Sequence, residues 1–284
     1  MALELRAVSV RHPSASRGLA TSQPPALQPL DLRLAGGEHV AVIGPSGAGK
    51  TTLLQLLACA QRPLAGEFLI DGQAPWQLPR RALQKLRGQL FLAPQMPPLP
   101  PRQRVVTAVL AGALPGMGLW ASLRSWVLPV DLAAAQAALQ RFGLADKLFD
   151  RVDRLSGGER QRIGLARALV APARLWLIDE PLSALDPSSA RQALAALVDA
   201  ARERGATLVA SLHQVDAALA QFPRIVGLRE GRLAFDLPAA QVTPAQLEQL
   251  YLQSESASAN APASRDTEAN AAAPSARLPA LPWR

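Results

Sequence analysis

Lys50 and Thr51 close the string Gly44-Pro45-Ser46-Gly47-Ala48-Gly49-Lys50-Thr51, which has the G-x-x-x-x-G-K-[ST] spacing of a phosphate-binding loop. Glycine is needed there because the turn is tight and its N–H groups must meet phosphate oxygens, where a Cβ would intrude. Lys50 supplies a cation for the β- and γ-phosphates and Thr51 a hydroxyl for Mg²⁺, with Thr52 next in a helix whose N-terminus favours an anion. Taken alone, the loop suits a kinase or a GTPase equally well. A second glycine-bearing string is Leu155-Ser156-Gly157-Gly158-Glu159-Arg160-Gln161-Arg162, in which Ser156 and Glu159 stand at capping-box spacing. Glycine in a helix's first turn costs up to about 1 kcal/mol each in propensity. Gly157 and Gly158 therefore argue for bare N–H groups at a positive helix end, a second anion site. Asp179 and Glu180 end the apolar run Leu175-Trp176-Leu177-Ile178, and His213 follows another such run.

The elements that must position these residues are legible in the periodicity. Residues 39–43 read as a buried strand and 52–58 as the helix behind the loop. Alternation predicts strands over 3–10 and 28–34, separated by a Ser/Pro/Gly-bearing loop, then a short strand over 66–72 ending in an Asp-Gly turn. A charged amphipathic helix follows over 80–87 and a strand over 89–92. Residues 96–101 are nearly all proline and apolar, and 105–143 are Ala/Leu-rich at helical spacing, broken by Gly116, Gly118 and Pro129. This predicts a helical lobe inserted at about 96–172. Beyond it come a helix over 160–170, a strand over 175–178, a helix over 187–204, a strand over 206–212, and short strands over 225–228 and 232–235. Strands alternating with helices imply an α/β fold, a parallel sheet with helices on its faces. Such sheets place ligands beyond the carboxyl ends of their strands, where Asp179 and Glu180 stand. Adjacent strand residues point to opposite faces, which predicts separate tasks for the two acids. From residue 253 periodicity gives way to Ser, Ala, Asn and Pro, the composition of a disordered tail.

With 284 residues, 49% hydrophobic and 18% charged, the chain has the size and composition of a globular protein with a sizeable core. The +8 charge comes mainly from arginine scattered along the chain, which speaks against nucleic acid and suits a nucleotide or an anionic membrane leaflet. Cys59, the single cysteine, forms no internal disulfide and reads as a buried small hydrophobe in a reducing compartment. No run of 18 apolar residues occurs, and the N-terminus lacks a basic start followed by an apolar stretch. The expectation is a cytosolic chain, held at a membrane only by a partner.

Over about residues 1–252 these motifs resemble the ATP-binding cassette family, whose signature is Leu-Ser-Gly-Gly-[Gln/Glu] before a basic helix. The resemblance implies a P-loop NTPase (RecA-like) core with a small antiparallel β subdomain and an inserted α-helical subdomain. It implies ATP and Mg²⁺ as cofactors and a head-to-tail homodimer of cassettes. Ser156, Gly157 and Gly158 of one copy would then grip the γ-phosphate of ATP on the other's loop. Asp179 would help hold Mg²⁺ through water, and Glu180 would polarise the attacking water. His213 matches the switch histidine, and Gln95 the Q-loop glutamine that senses Mg²⁺ and water, here in a loop stiffened by Pro94 and the prolines that follow. Asp186 of Ser183-Ala184-Leu185-Asp186 would meet the partner cassette. His12 stands where the family places an adenine-stacking aromatic.

The resemblance further implies separate transmembrane permease subunits docking near Gln95 and the helical lobe, and indirectly a periplasmic solute-binding protein. The cassette would sit peripherally on the cytoplasmic face of the inner membrane, with no nucleic-acid partner. The string Ser211-Leu212-His213-Gln214-Val215-Asp216, residues 224–231 with Phe235 and Asp236, and residues 118–127 with Trp120, Arg124 and Trp126 are similar to the phosphonate importers. Phosphite, phosphate or another small solute stay open as cargo. A nucleic-acid-linked cassette would need a second cassette or a long coiled-coil insertion, and neither is visible.

Overall fold

The computed structural model describes residues 1–11, 25–117 and 131–252. The chain opens with β1 (Leu3–Val10) and β2 (Leu27–Leu34), then β3 (His39–Ile43), α1 (Lys50–Leu57) and β4 (Ala65–Ile70). The basic helix α2 (Arg80–Arg87) leads into β5 (Leu90–Ala93). Next come α3 (Val105–Leu110), a 3₁₀ turn (Ala111–Gly116), α4 (Leu132–Arg141) and α5 (Gly157–Val170). The chain then returns to the sheet through β6 (Leu175–Asp179), α6 (Pro187–Glu203), β7 (Thr207–Ser211), α7 (Val215–Gln221), β8 (Arg224–Arg229) and β9 (Arg232–Pro238), ending on α8 (Pro244–Tyr251).

Two sheets result. β2-β1-β4 is antiparallel, and the larger sheet has the order β5-β6-β7-β3-β8-β9, parallel except for the β8–β9 hairpin. Every residue of β3, β6 and β7 is buried, as expected for parallel strands covered on both faces. The pleat sends alternate residues into two cores. Val40, Val42, Leu175 and Leu177 pack with α1 and the antiparallel sheet, whereas Ala41, Ile43, Trp176 and Ile178 pack with Leu139, Ile163, Leu194 and Phe222 on the helical side. Arg224 joins the two sheets, donating to Asp236 and Glu38 at 2.6 and 2.8 Å and to the Arg33 carbonyl at 2.9 Å.

The helical segment between β5 and β6 is α3, α4 and α5 packed on one another. The expected helical run over 105–143 breaks at the 3₁₀ turn containing Pro115, and α4 starts afresh where the Asp131 carboxylate accepts the Ala134 N–H at 2.9 Å. Sequence reading gave no helix at α7 or α8. Both are short, with a single buried residue each (Ala218 and Leu250), so neither carries an apolar stripe strong enough to register. His12, residues 118–127 and the expected tail lie outside the described residues.

Candidate functional site

Between β3 and α1 the backbone turns through Gly44, Gly47 and Gly49, with φ of 150°, 77° and 101°. A Cβ on Gly44 would sit 2.0 Å from the Leu228 carbonyl oxygen, and one on Gly49 would sit 2.7 Å from Leu27 Cδ2. Those two glycines are demanded by crowding as well as by φ, while Gly47 faces open space. Lys50 is 5% exposed, and its Nζ donates to the carbonyls of Gly44 and Pro45 at 2.8 and 3.1 Å. Burial pulls its pKa below the ordinary lysine value, opposed by the carboxylates of Glu180 and Asp179. The loop is braced from the β8–β9 turn. The Gly231 N–H donates to the Ala48 carbonyl at 3.1 Å, and the Gly231 carbonyl accepts the Gln28 N–H at 2.8 Å. The loop opens onto a cleft of about 410 Å³ lined by Ala26, residues 46–52, Gln55, Gln95 and Glu180. Bare loop backbone, a lysine and two adjacent threonine side chains fit a triphosphate with its cation.

The acids separate more sharply than strand alternation predicts. Asp179 is the last residue of β6 and is 5% exposed, but Glu180 has left the strand in a left-handed conformation, φ 47°. It is this turn in the backbone that swings the Glu180 carboxylate into the cleft. Ser211, the register partner of Asp179 on β7, fixes both: its hydroxyl donates to Asp179 Oδ1 at 2.6 Å and accepts the Glu180 N–H at 3.0 Å. Gln95 Nε2 donates to Glu180 Oε2 at 2.7 Å, and His213 Nε2 lies 2.5 Å from Glu180 Oε1. A carboxylate held at both oxygens has a fixed orientation, as a base acting on a positioned water requires. Gln95, Glu180 and His213 each follow one of the neighbouring strands β5, β6 and β7. Beyond Glu180 a second hollow of about 150 Å³ is lined by Leu182, Ser183, Leu185, Leu212, His213 and Gln214.

Ser156 accepts the Glu159 N–H at 3.2 Å while Glu159 accepts the Ser156 N–H at 2.8 Å, the reciprocal cap expected from the spacing. These bonds hold the Glu159 carboxyl below its usual pKa. Gly157 and Gly158 occupy the first turn of α5, and a Cβ on Gly158 would come within 3.1 Å of the Ala184 carbonyl. Asp186 caps α6, accepting from Ser188 and Ser189, which pulls its pKa well down. Ser156, Gly157, Gly158 and Asp186 are absent from the lining of the phosphate-loop cleft. Within one chain, the capped first turn of α5 and the cleft at the glycine loop are separate.

The family model described as ABC transporter matches residues 27–183, more than half of the chain. The chain belongs to the ABC transporter family. It is 65% identical over 253 residues to the phosphonates import ATP-binding protein PhnC 2 of Albidiferax ferrireducens, covering 89% of this chain and 90% of that one. It is 54% identical over 262 residues to PhnC 2 of Pseudomonas aeruginosa, covering 91% and 95%. Among solved structures, a dimeric ATP-binding cassette in a post-hydrolysis state with ADP and Pi superposes with a TM-score of 0.69 at 26% identity, covering 84% of this chain and 98% of that one.

Two residues of this ABC-family site escaped sequence reading. Ser211 could be found only from its register opposite Asp179, and Gly231 only from its contact with the loop. The single cysteine, Cys59, is buried as expected, and burial pushes its thiol up to about 12. His39 also lies in the core, its pKa lowered by burial.

Proposed function

We propose that this ABC-family ATPase energises an importer of phosphonates, binding ATP and Mg²⁺ at the loop of residues 44–51. The observation that carries the hydrolytic half is the convergence of Gln95 and His213 on Glu180 at the edge of the cleft. Glu180 takes the proton of the attacking water, Gln95 and His213 keep its carboxylate aimed, and Lys50 leaves its loop carbonyls for the phosphate oxygens. Mg²⁺, held by Thr51, Asp179 and Gln95, would offset phosphate charge. The cargo assignment is supported by the names of relatives at 65% and 54% identity. Phosphite or phosphate would need the same subunit chemistry, since cargo is handled by separate permease chains docking near Gln95.

Because Ser156, Gly157 and Gly158 do not line the cleft of their own chain, they complete the site of a second copy, with Asp186 at the contact. A cassette over residues 1–252, with its helical lobe inserted at about 96–172, and a disordered tail from 253 complete this reading. Among the described residues no helix is long and apolar enough to cross a membrane. That agrees with a peripheral position on the cytoplasmic face, reached through the permease.

The test is ATPase activity of the cassette reconstituted with its permease and a periplasmic solute-binding protein. Stimulation by alkylphosphonates in preference to phosphate and phosphite is expected. Stimulation by phosphate alone would reassign the cargo, and salt-sensitive stimulation by DNA or RNA would overturn the importer assignment.

A further inference from the structure

Of the seven buried residues of α5, Gln161 alone has a polar side chain; it is 4% exposed, beside an exposed Arg160. A buried amide is unfavourable unless its hydrogen bonds are used, and Leu or Met would fill the same place without that cost. The Gln161 Nε2 donates to the backbone carbonyl of Glu180 at 3.5 Å. Among the described residues the other donor to that oxygen is the Ser183 N–H, at 3.4 Å.

Spacing along the helix explains how the amide gets there. Gly157 and Gly158 precede Gln161 by four and three positions, so all three share one face of α5. A Cβ on Gly158 would stand 3.1 Å from both the Ala184 carbonyl and Leu185 Cδ2, so this face lies against residues 180–185 of its own chain. Glycine at 158 admits the helix closely enough for the next turn to reach Glu180.

Glu180 needs such a hold. Its φ of 47° is unfavourable for a residue with a Cβ and persists where the surroundings impose it. On the amino side Ser211 does so, its carbonyl and hydroxyl oxygens accepting the Glu180 N–H at 3.2 and 3.0 Å. On the carboxyl side the side chain in place is Gln161.

We infer that Gln161 is a positioning residue for hydrolysis: its amide anchors the Glu180 carbonyl and so keeps the left-handed turn that carries the carboxylate into the cleft. The inference rests on reading Glu180 as the base and adds what aims its backbone, as Gln95 and His213 aim its side chain. Because Gln161 and Ser156 belong to one helix end, the aim of the base is tied to the seating of α5 against residues 180–185.

The experiment measures phosphate release by the full chain against ATP concentration and pH for wild type, Gln161→Met, Gln161→Glu and Glu180→Gln, with thermal unfolding of each. Gln161→Met keeps the length and loses the donor. Its kcat is expected to fall about two- to tenfold, the net worth of a neutral hydrogen bond, with KM for ATP and unfolding temperature near wild type. In Gln161→Glu an ionised carboxylate would face the Glu180 carbonyl with no proton to give. Burial raises the pKa of such a group, so lowering the pH from about 8 to about 6 restores a donating O–H. Its kcat, taken as a ratio to wild type at the same pH, should therefore recover on acidification, while the ratio for Gln161→Met stays flat. Added to Glu180→Gln, Gln161→Met should cost less than it does alone, since the base it aims is gone.

Unchanged kcat in Gln161→Met overturns the inference. So does a loss carried by raised KM or by a lower unfolding temperature, or a Gln161→Glu ratio that does not move with pH. If Gln161→Met does not fold, the pH response of Gln161→Glu decides alone. Wild-type turnover in Glu180→Gln removes the base assignment and this inference with it. Slow Glu180→Gln beside an unimpaired Gln161→Met removes only the latter.

Discussion

Replacing Glu180 by Gln separates chemistry from architecture at this site. Gln is nearly isosteric and keeps a carbonyl oxygen to accept from Gln95, while its amide can donate to a neutral His213 ring in place of the 2.5 Å contact seen with the carboxylate. The Glu180 N–H bond to Ser211 is made by backbone and survives. Stability should therefore stay within about 0.5 kcal/mol of wild type, as for substitutions that break no buried network. Nucleotide affinity should hold or rise, because one negative charge beside the triphosphate is gone while Lys50 keeps Asp179. The proton acceptor, however, is lost. A positioned general base contributes about 10²- to 10⁴-fold, which at 1.36 kcal/mol per decade is about 3–5 kcal/mol of barrier. Phosphate release measured at saturating ATP, alongside nucleotide binding and size-exclusion chromatography, should show slow turnover with accumulation of an ATP-loaded dimer. Turnover within about threefold of wild type, a barrier change well under 1 kcal/mol, would refute the assignment of the base. Parallel loss of ATP binding would show instead that Glu180 supports the cleft structurally.

Gly44→Ala should destabilise the fold by at least about 2 kcal/mol and abolish nucleotide binding, because its Cβ meets the Leu228 carbonyl at 2.0 Å. Gly47→Ala has open space and should cost only the left-handed backbone, about 1–2 kcal/mol, a difference readable in urea midpoints. Ser211→Ala leaves buried Asp179 without its 2.6 Å donor and should lower stability by about 1–3 kcal/mol, together with a drop in kcat. The Cys59 thiol, pushed from its ordinary value of 9.0 to about 12, should resist alkylation at neutral pH until the protein unfolds. Because the unfolded chain releases that proton first, Cys59 should make stability fall as pH rises from 9.0 towards 12, and Cys59→Ala should flatten that limb of the curve.

The loop at Lys50 and the cap at Ser156 were legible because each is local: a few consecutive residues carry the whole physical requirement. So were the buried strands, whose apolar runs have no other explanation in a chain of this composition. Gln95, Glu180 and His213 were different. As isolated residues they are ordinary, and their meeting depends on β5, β6 and β7 being neighbours in a sheet whose order, β5-β6-β7-β3-β8-β9, no periodicity encodes. Glu180 stood out by ending an apolar strand and Gln95 and His213 took their roles from resemblance, while the geometry supplied the reason for their meeting. A one-residue slip of β6 would displace Glu180 by about 3.3 Å, more than a hydrogen bond's length, so the registers Ala93 to Ile178 and Asp179 to Ser211 are part of the site. The left-handed turn at Glu180 was illegible too, since a carboxylate side chain does not advertise a positive φ.

Gly231 gives the last third of the chain a mechanical duty. It lies beyond the residues matched by the family model, yet it ties Ala48 of the phosphate loop to Gln28 of the antiparallel sheet, and a Cβ there would strike the Ala26 carbonyl at 2.6 Å. A fragment ending after His213 would contain every motif of the site and still lack both β8, the neighbour of β3 in the sheet, and the turn that braces the loop. Possession of the motifs and possession of a braced loop are therefore separable properties of this chain, and the second depends on a hairpin turn some 180 positions away that does not line the cleft.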